Sequence, residues 1–117
     1  MIFVTGATGF VGAHMLYQLV KADNEVLALK RPTSNTNYIK SVFRTYGEGE
    51  ETLLDKVQFV DGDVLDYQGL LEIGYHIDRI YHLAAMVSFS PRDKEKVLKT
   101  NVYGTSNIVN FALEKQI

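Results

Sequence analysis

The chain has no cysteine, no tryptophan and only two prolines among its 117 residues. Without cysteine there is no disulfide framework, no thiolate nucleophile and no thiolate metal site, which fits a reducing compartment. Neither sign of charge dominates: 12 basic and 14 acidic side chains give a net charge of −2. No basic surface therefore invites nucleic acid or an anionic membrane as a partner. No apolar run approaches the roughly 20 residues of a membrane span. The N-terminus lacks the basic-then-apolar order of a signal peptide, and the expectation is a cytoplasmic protein. The length suits one domain with one core. Hydrophobic content of 46% and charged content of 22% are ordinary for a globular domain.

What the chain does have is concentrated at its start. Ile2, Phe3 and Val4 form an apolar run without polar alternation, as expected of a strand buried on both faces of a parallel sheet. The run ends in glycines at Gly6, Gly9 and Gly12, and a helical apolar pattern follows without a gap. A strand turning through glycines into a helix is a phosphate-binding device, because the unpaired N–H groups and dipole of the first helical turn favour an anion. Gly6 would permit the tight turn, Gly9 would admit a pyrophosphate to the backbone, and Gly12 would let the helix pack closely. The spacing is G-x-x-G-x-x-G rather than the G-x-G-x-x-G of typical dehydrogenases. The plainer alternative is a glycine-rich turn with no ligand.

Thr5-Gly6-Ala7-Thr8-Gly9-Phe10-Val11-Gly12 resembles the cofactor signature of the extended short-chain dehydrogenases/reductases. That is the NAD-dependent epimerase/dehydratase family, which includes the dihydroflavonol-reductase-like enzymes. The resemblance makes Gly6, Thr8, Gly9, Phe10, Val11 and Gly12 candidate cofactor contacts.

The rest of the chain alternates strand-like and helix-like stretches. Phe10 to Lys21 reads as a helix with Val11, Ala13, Leu16, Leu19 and Val20 on its apolar face. Tyr17 and Lys21 match the Y-x-x-x-K catalytic motif of the short-chain family. They lie on the glycine-loop helix, well ahead of the family's position for it, and read better as an edge aromatic and a solvated charge. Val26 to Leu29 is a second buried strand ending in Lys30-Arg31. A Rossmann unit places there either an acid for the ribose hydroxyls or a base for a 2′-phosphate. Lys30 and Arg31 therefore point to NADP, with NAD as the alternative; they could equally be a surface charge pair. Tyr38, Ile39, Val42, Phe43 and Tyr46 have helical spacing, and Gly47 to Glu51 reads as an exposed loop with solvated acids.

Val57 to Val60 is a third strand, and a short helix is expected over Tyr67 to Ile73. By resemblance, Asp63 accepts from the adenine amino group and Val64 packs on the adenine ring; otherwise Asp63 caps the next turn. Asp61, Asp63 and Asp66 lack the ligand spacing of an EF-hand loop, and His14, His76 and His82 lack zinc spacing. Arg79 to Ala85 reads as the fourth strand, carrying the His-Leu-Ala-Ala that the family often shows. Leu83, Ala84 and Ala85 would leave room for the dinucleotide, and His82 reads as a hydrogen-bonded core residue. A last helix opens at Ser90-Pro91, with Ser90 as its N-cap. Its apolar stripe is Val97, Leu98, Val102, Ile108, Val109, Ala112 and Leu113. Asn101 interrupts that stripe and, by resemblance to Asn-Val-x-Gly-Thr, supports the strand ends near the cofactor, with Gly104 packing on the sheet.

The fold class implied is α/β: a Rossmann-type doubly wound parallel sheet, truncated at four strands in the order 3-2-1-4. Residues 1–117 would be the N-terminal part of an NAD(P)-binding domain, without the family's catalytic Ser or Thr, its Tyr-x-x-x-Lys helix or its substrate region. The closing Glu-Lys-Gln-Ile has no helix-stop signal, which favours a cut chain. The uncovered edge of the fourth strand then invites self-association. Two functions fit: the cofactor-binding portion of an epimerase, dehydratase or reductase, or a stand-alone dinucleotide-binding sensor without turnover.

Overall fold

A computed structural model describes residues Met1–Ile117. Strand β1 (Ile2–Thr5) leads through the glycine turn into α1 (Phe10–Lys21). Then come β2 (Val26–Lys30), α2 (Asn37–Arg44), a 3-10 segment (Glu50–Lys56), β3 (Val57–Asp61), α3 (Tyr67–Leu71) and β4 (Arg79–His82). The chain closes with a 3-10 turn (Pro91–Asp93), α4 (Lys94–Leu98), a π turn (Lys99–Tyr103) and α5 (Gly104–Glu114). The strands form one four-stranded sheet in the order β3-β2-β1-β4. All three pairings are parallel, with Phe3 opposite Leu27 on one side and Ile80 on the other.

Alternation along the strands builds two cores. Ile2, Val4, Val26 and Ala28 face α1, α2 and the 3-10 segment, where they meet Leu16, Val20, Ile39 and Phe43. Phe3, Leu27 and Leu29 face the opposite way and meet Val64, Leu70, Ile108 and Phe111. Each inner strand must be apolar on both faces, which is why β1 and β2 read as unbroken apolar runs.

Several sequence expectations need correction. Strand β4 stops at His82, so Leu83, Ala84 and Ala85 lie beyond the strand end, in a loop. The last helix is four pieces rather than one, and of its expected stripe only Ile108 is buried, with Gly104 and Phe111 supplying the rest. Leu98, Val102, Val109 and Leu113 are exposed. Ser90 makes no capping bond; Ser88 Oγ instead donates to Asp93 at 2.6 Å and accepts from the Ser90 N–H. Val11, placed on the apolar face of α1, is exposed, because it lies on the outer side of the helix in an open groove with Phe10 and Met15. Two of the three acids of the Gly47–Glu51 stretch are not solvated: Glu50 opens the 3-10 segment and receives bonds from Tyr17 and Lys21, and Glu51 pairs with Arg44, while Glu48 is exposed.

Candidate functional site

The strand order reverses beside β1, and a cleft opens there at the C-terminal ends of the strands. This is where an open parallel sheet with helices on both faces places a ligand. Its volume is about 260 Å³. The glycine turn gives it Gly6, Thr8 and Gly9; the end of β2 gives Leu29, Lys30, Arg31, Thr33 and Ser34. The end of β3 gives Gly62, Asp63, Val64 and Leu65, and the β4 loop gives Leu83, Ala84 and Ala85, with Thr100 beside it. Candidates separated by up to eighty residues of chain thus share one wall. Thr33, Ser34, Gly62, Leu65 and Thr100 were not foreseen; Thr33 and Ser34 follow directly on Arg31 and could have been read as part of the same turn.

The glycines differ in what holds them. Gly6 has φ +76°, and a Cβ there would lie 2.5 Å from the Leu83 carbonyl carbon and the Ala84 nitrogen. A Cβ on Gly12 would lie 1.9 Å from the Gly6 oxygen, so the start of α1 seats directly on the turn backbone. Gly9 is under no such constraint. Its φ of −88° suits any residue, and an added Cβ would touch only the Gly6 oxygen, at 3.4 Å. Neither conformation nor internal packing requires glycine at that position; an occupant of the cleft would. Gly9 is also the N-cap of the 12-residue helix α1, and no side chain caps it. The N–H groups of that first turn have no intrahelical acceptor.

The remaining candidates take varied places. Phe10 and Val11 point outward into a shallow apolar groove with His14, Met15 and Gln18, so only their backbone N–H groups can serve the cleft. Asp63 lines the cleft and uses one oxygen to accept from the Leu65 N–H at 2.9 Å, an Asx turn; Asp66, not Asp63, caps α3. Lys30 gives its charge to Asp61, 2.7 Å away. Arg31 is exposed at the cleft wall and makes no ion pair. Asn101 does not line the cleft. From the π turn it brackets Met86, accepting from its N–H at 2.8 Å and donating to its carbonyl at 3.0 Å, and so fixes the loop that follows Ala85.

His82 is a hydrogen-bonded residue, 2.6 Å from Thr5 Oγ1 and 3.0 Å from Thr105 Oγ1. Burial lowers its pKa below the ordinary histidine value. Tyr17 is far from catalytic poise. It is buried, stacked on Tyr46 with ring centroids 3.8 Å apart, and its hydroxyl donates to Glu50 at 2.6 Å. That hydrogen bond, aided by burial, pushes its pKa up to about 12. Neither Tyr17 nor Lys21 lines the cleft.

The sequence matches the GDP-mannose 4,6 dehydratase family from residue 3 to residue 117. The chain belongs to that family, one of the NAD-dependent epimerase/dehydratase-like short-chain dehydrogenases/reductases. Within this wider group it is 31% identical over 110 residues to a putative dihydroflavonol 4-reductase of Synechocystis, covering 94% of this chain and 28% of that protein. It is 34% identical over 123 residues to nonribosomal peptide synthetase asaC of Aspergillus flavus, covering 95% of this chain and 12% of that protein. A short-chain dehydrogenase/reductase superfamily protein from Agrobacterium tumefaciens, solved with bound NAD, superposes with a TM-score of 0.72 at 25% identity. That superposition covers 100% of this chain and 30% of the other. The chain thus spans less than a third of the length of each of these three proteins.

Proposed function

We propose that this chain binds a nicotinamide dinucleotide across its strand ends, as the cofactor-binding portion of an epimerase, dehydratase or reductase. The observation that carries the reading is Gly9: a glycine that nothing inside the protein requires, at the uncapped start of α1, facing the cleft. A pyrophosphate over Gly9 would receive the free N–H groups of Phe10, Val11 and Gly12. Val64 would then lie under the adenine and Asp63 at its amino group, with the second ribose passing the small side chains Ala84 and Ala85. When bound, the dinucleotide supplies hydride exchange at its nicotinamide ring. The chain's own residues bind and orient it. The titratable groups lining the cleft are Lys30, Arg31 and Asp63, all at the adenosine end, so this chain by itself is expected to show no turnover.

The same geometry favours NADP over NAD. Lys30 is neutralised by Asp61, which leaves Arg31 as the free cation, beside the hydroxyls of Thr33 and Ser34. The Ser34 N–H closes a turn onto the Arg31 carbonyl at 2.9 Å. A guanidinium can meet a 2′-phosphate with paired donors. Such a charge-assisted bond contributes about 1.5–3 kcal/mol, so Arg31→Ala should erase a preference of roughly tenfold to a hundredfold. Calorimetric titration with NADPH and NADH tests both statements. Gly9→Ala should weaken both dinucleotides more than tenfold while the melting temperature barely moves. Undiminished binding by Gly9→Ala removes the pyrophosphate assignment, and an unchanged NADPH/NADH ratio in Arg31→Ala removes the 2′-phosphate assignment.

A further inference from the structure

Thr5 is the one fully buried polar side chain of the core, and its hydroxyl is the centre of a closed arrangement. Thr5 Oγ1 accepts from the Ala84 N–H at 3.2 Å and shares the Leu83 N–H, also at 3.2 Å, with the Thr5 backbone carbonyl at 3.1 Å. A hydroxyl has two acceptor lone pairs and one proton. With both lone pairs engaged, its proton is left to donate, and the acceptor in reach is His82 Nδ1, 2.6 Å away. His82 must therefore hold its own proton on Nε2, which donates to Thr105 Oγ1 at 3.0 Å. One chain of hydrogen bonds joins α5, β4, β1 and the first two residues of the cleft loop. Those two residues are also the ones against which Gly6 is pressed.

We propose that His82, neutral and protonated on Nε2, is a positioning residue that sets the cleft loop through Thr5, and that protonating it releases the loop and weakens dinucleotide binding. A second proton on Nδ1 would set two donors against each other across 2.6 Å. Thr5 would then have to turn its hydroxyl, and the lone pair now serving Ala84, whose N–H has no second acceptor, would be lost, while the Leu83 N–H would keep the Thr5 carbonyl. An unpaired buried N–H is costly, so the loop would shift instead. Burial favours the neutral ring. The titratable groups on the elements packed around it, Arg79 and Tyr81 on β4 and Glu114 on α5, add nothing to that direction. The arrangement is thus held at neutral pH and undone in acid, below the ordinary histidine range.

The proposal rests on the dinucleotide reading for its consequence but not for its mechanism, so the test has two independent parts. In the ligand-free chain, nitrogen-15 NMR of the His82 ring should show an unprotonated Nδ1 and a protonated Nε2 at neutral pH. Amide-exchange protection at Ala84 should fall as the ring titrates, while Leu83, held also by the Thr5 carbonyl, should change less. His82→Asn, whose side-chain oxygen can stand where Nδ1 stands, should keep that protection with no titration. His82→Leu should lose it at every pH. The opposite tautomer, or protection at Ala84 that ignores His82 titration, overturns the proposal. With NADPH as the probe, one linked proton gives roughly a tenfold loss of affinity per pH unit once His82 titrates. The 2′-phosphate itself titrates near pH 6, so the measured quantity is the difference between wild type and His82→Asn. Parallel profiles for the two proteins overturn the proposal. Absence of binding by both would sink the dinucleotide reading, while the exchange experiment would still decide the role of His82.

Discussion

The two faces of the sheet are covered in different ways. On one face α1 alone buries Gly12, Ala13, Leu16, Tyr17, Leu19 and Val20, and α2 adds Ile39, Val42 and Phe43. On the other, α4 and the π turn bury nothing, α3 adds only Leu70, and α5 contributes Gly104, Ile108 and Phe111. The first face is held by backbone fit and dense apolar packing. The second relies on fewer helix anchors and on side-chain hydrogen bonds, with Leu113 of α5 72% exposed. The cleft straddles the two: its glycine turn belongs to the densely packed face, and its Leu83–Ala85 wall belongs to the sparsely anchored one. Loss of binding should therefore be reachable by loosening the second face without touching the first.

The sharpest break of this comparison is Phe111→Ala. Phe111 is fully buried and meets Phe3 edge-to-face, ring centroids 5.8 Å apart. Truncating such a residue costs about 3–5 kcal/mol, a large fraction of the roughly 5–15 kcal/mol that holds a domain together. Phe89→Ala, an equal truncation at an exposed loop position, should stay within about 0.5 kcal/mol. Urea titration of both variants measures the contrast; equal midpoints would mean that Phe111 is no anchor.

Gly12→Ala comes next. The new Cβ would meet backbone, which cannot swing aside, so the loss should reach or pass the upper end of the about 1–3 kcal/mol typical of overpacking. Gly104→Ala offers the counterpart on the other face. There the Cβ would meet Val64 Cγ2 at 2.8 Å, a side chain that can move, and Ala gains about 1 kcal/mol of helix propensity over Gly. The net change should be no more than about 1 kcal/mol. Thermal melts of the pair would break the comparison if both glycines proved equally intolerant.

The same contrast governs what could be read from the sequence. The strand order, the span of α1 and the three cleft walls were legible, because buried parallel strands are continuous apolar runs and a glycine turn has few alternatives. The second face was not. The break of the last helix at Lys99–Tyr103 comes with the Asn101 bracket on Met86, fifteen residues back, and the end of β4 comes with Thr5, 77 residues from His82. Local periodicity carries no trace of such pairings. Glu50 was misread for the same reason: its partners Tyr17 and Lys21 are 33 and 29 residues away. Arg31 was located by its place after β2, but the capture of Lys30 by Asp61 needed the β2–β3 register.

A smaller effect concerns the free edge of β4, which pairs only with β1. Unpaired backbone there, with Val109 and Leu113 exposed on α5, should let two copies of the chain associate. Light scattering over a concentration series should show mass rising with concentration. Lysine at both positions, Val109→Lys with Leu113→Lys, should lower the association constant severalfold. A monomer at every concentration would mean that the sparsely anchored face is closed enough as it stands.

The smallest change is expected at Tyr17, on the packed face. Phenylalanine keeps the stacking on Tyr46 and the edge contact with Phe43, ring centroids 5.2 Å apart, and removes only the bond to Glu50. The pH dependence identifies that bond. The folded-state pKa of Tyr17 is raised from 10.0 to about 12, first by the hydrogen bond to Glu50 and then by burial. The stabilisation is therefore complete below pH 10 and lost as pH rises through about 12. Glu50 is lowered from 4.5 by the bonds from Tyr17 and Lys21, so its share is present above pH 4.5 and lost as pH falls through the lowered folded value. The stability difference between wild type and Tyr17→Phe should be flat across neutral pH and shrink toward both extremes, as read by urea midpoints along a pH series. Incubation with NADPH and a carbonyl substrate should give no turnover in either protein. Turnover that Tyr17→Phe abolished would mean that Tyr17 and Lys21 act as a catalytic pair after all, and that the packed face is more than a support for the cleft.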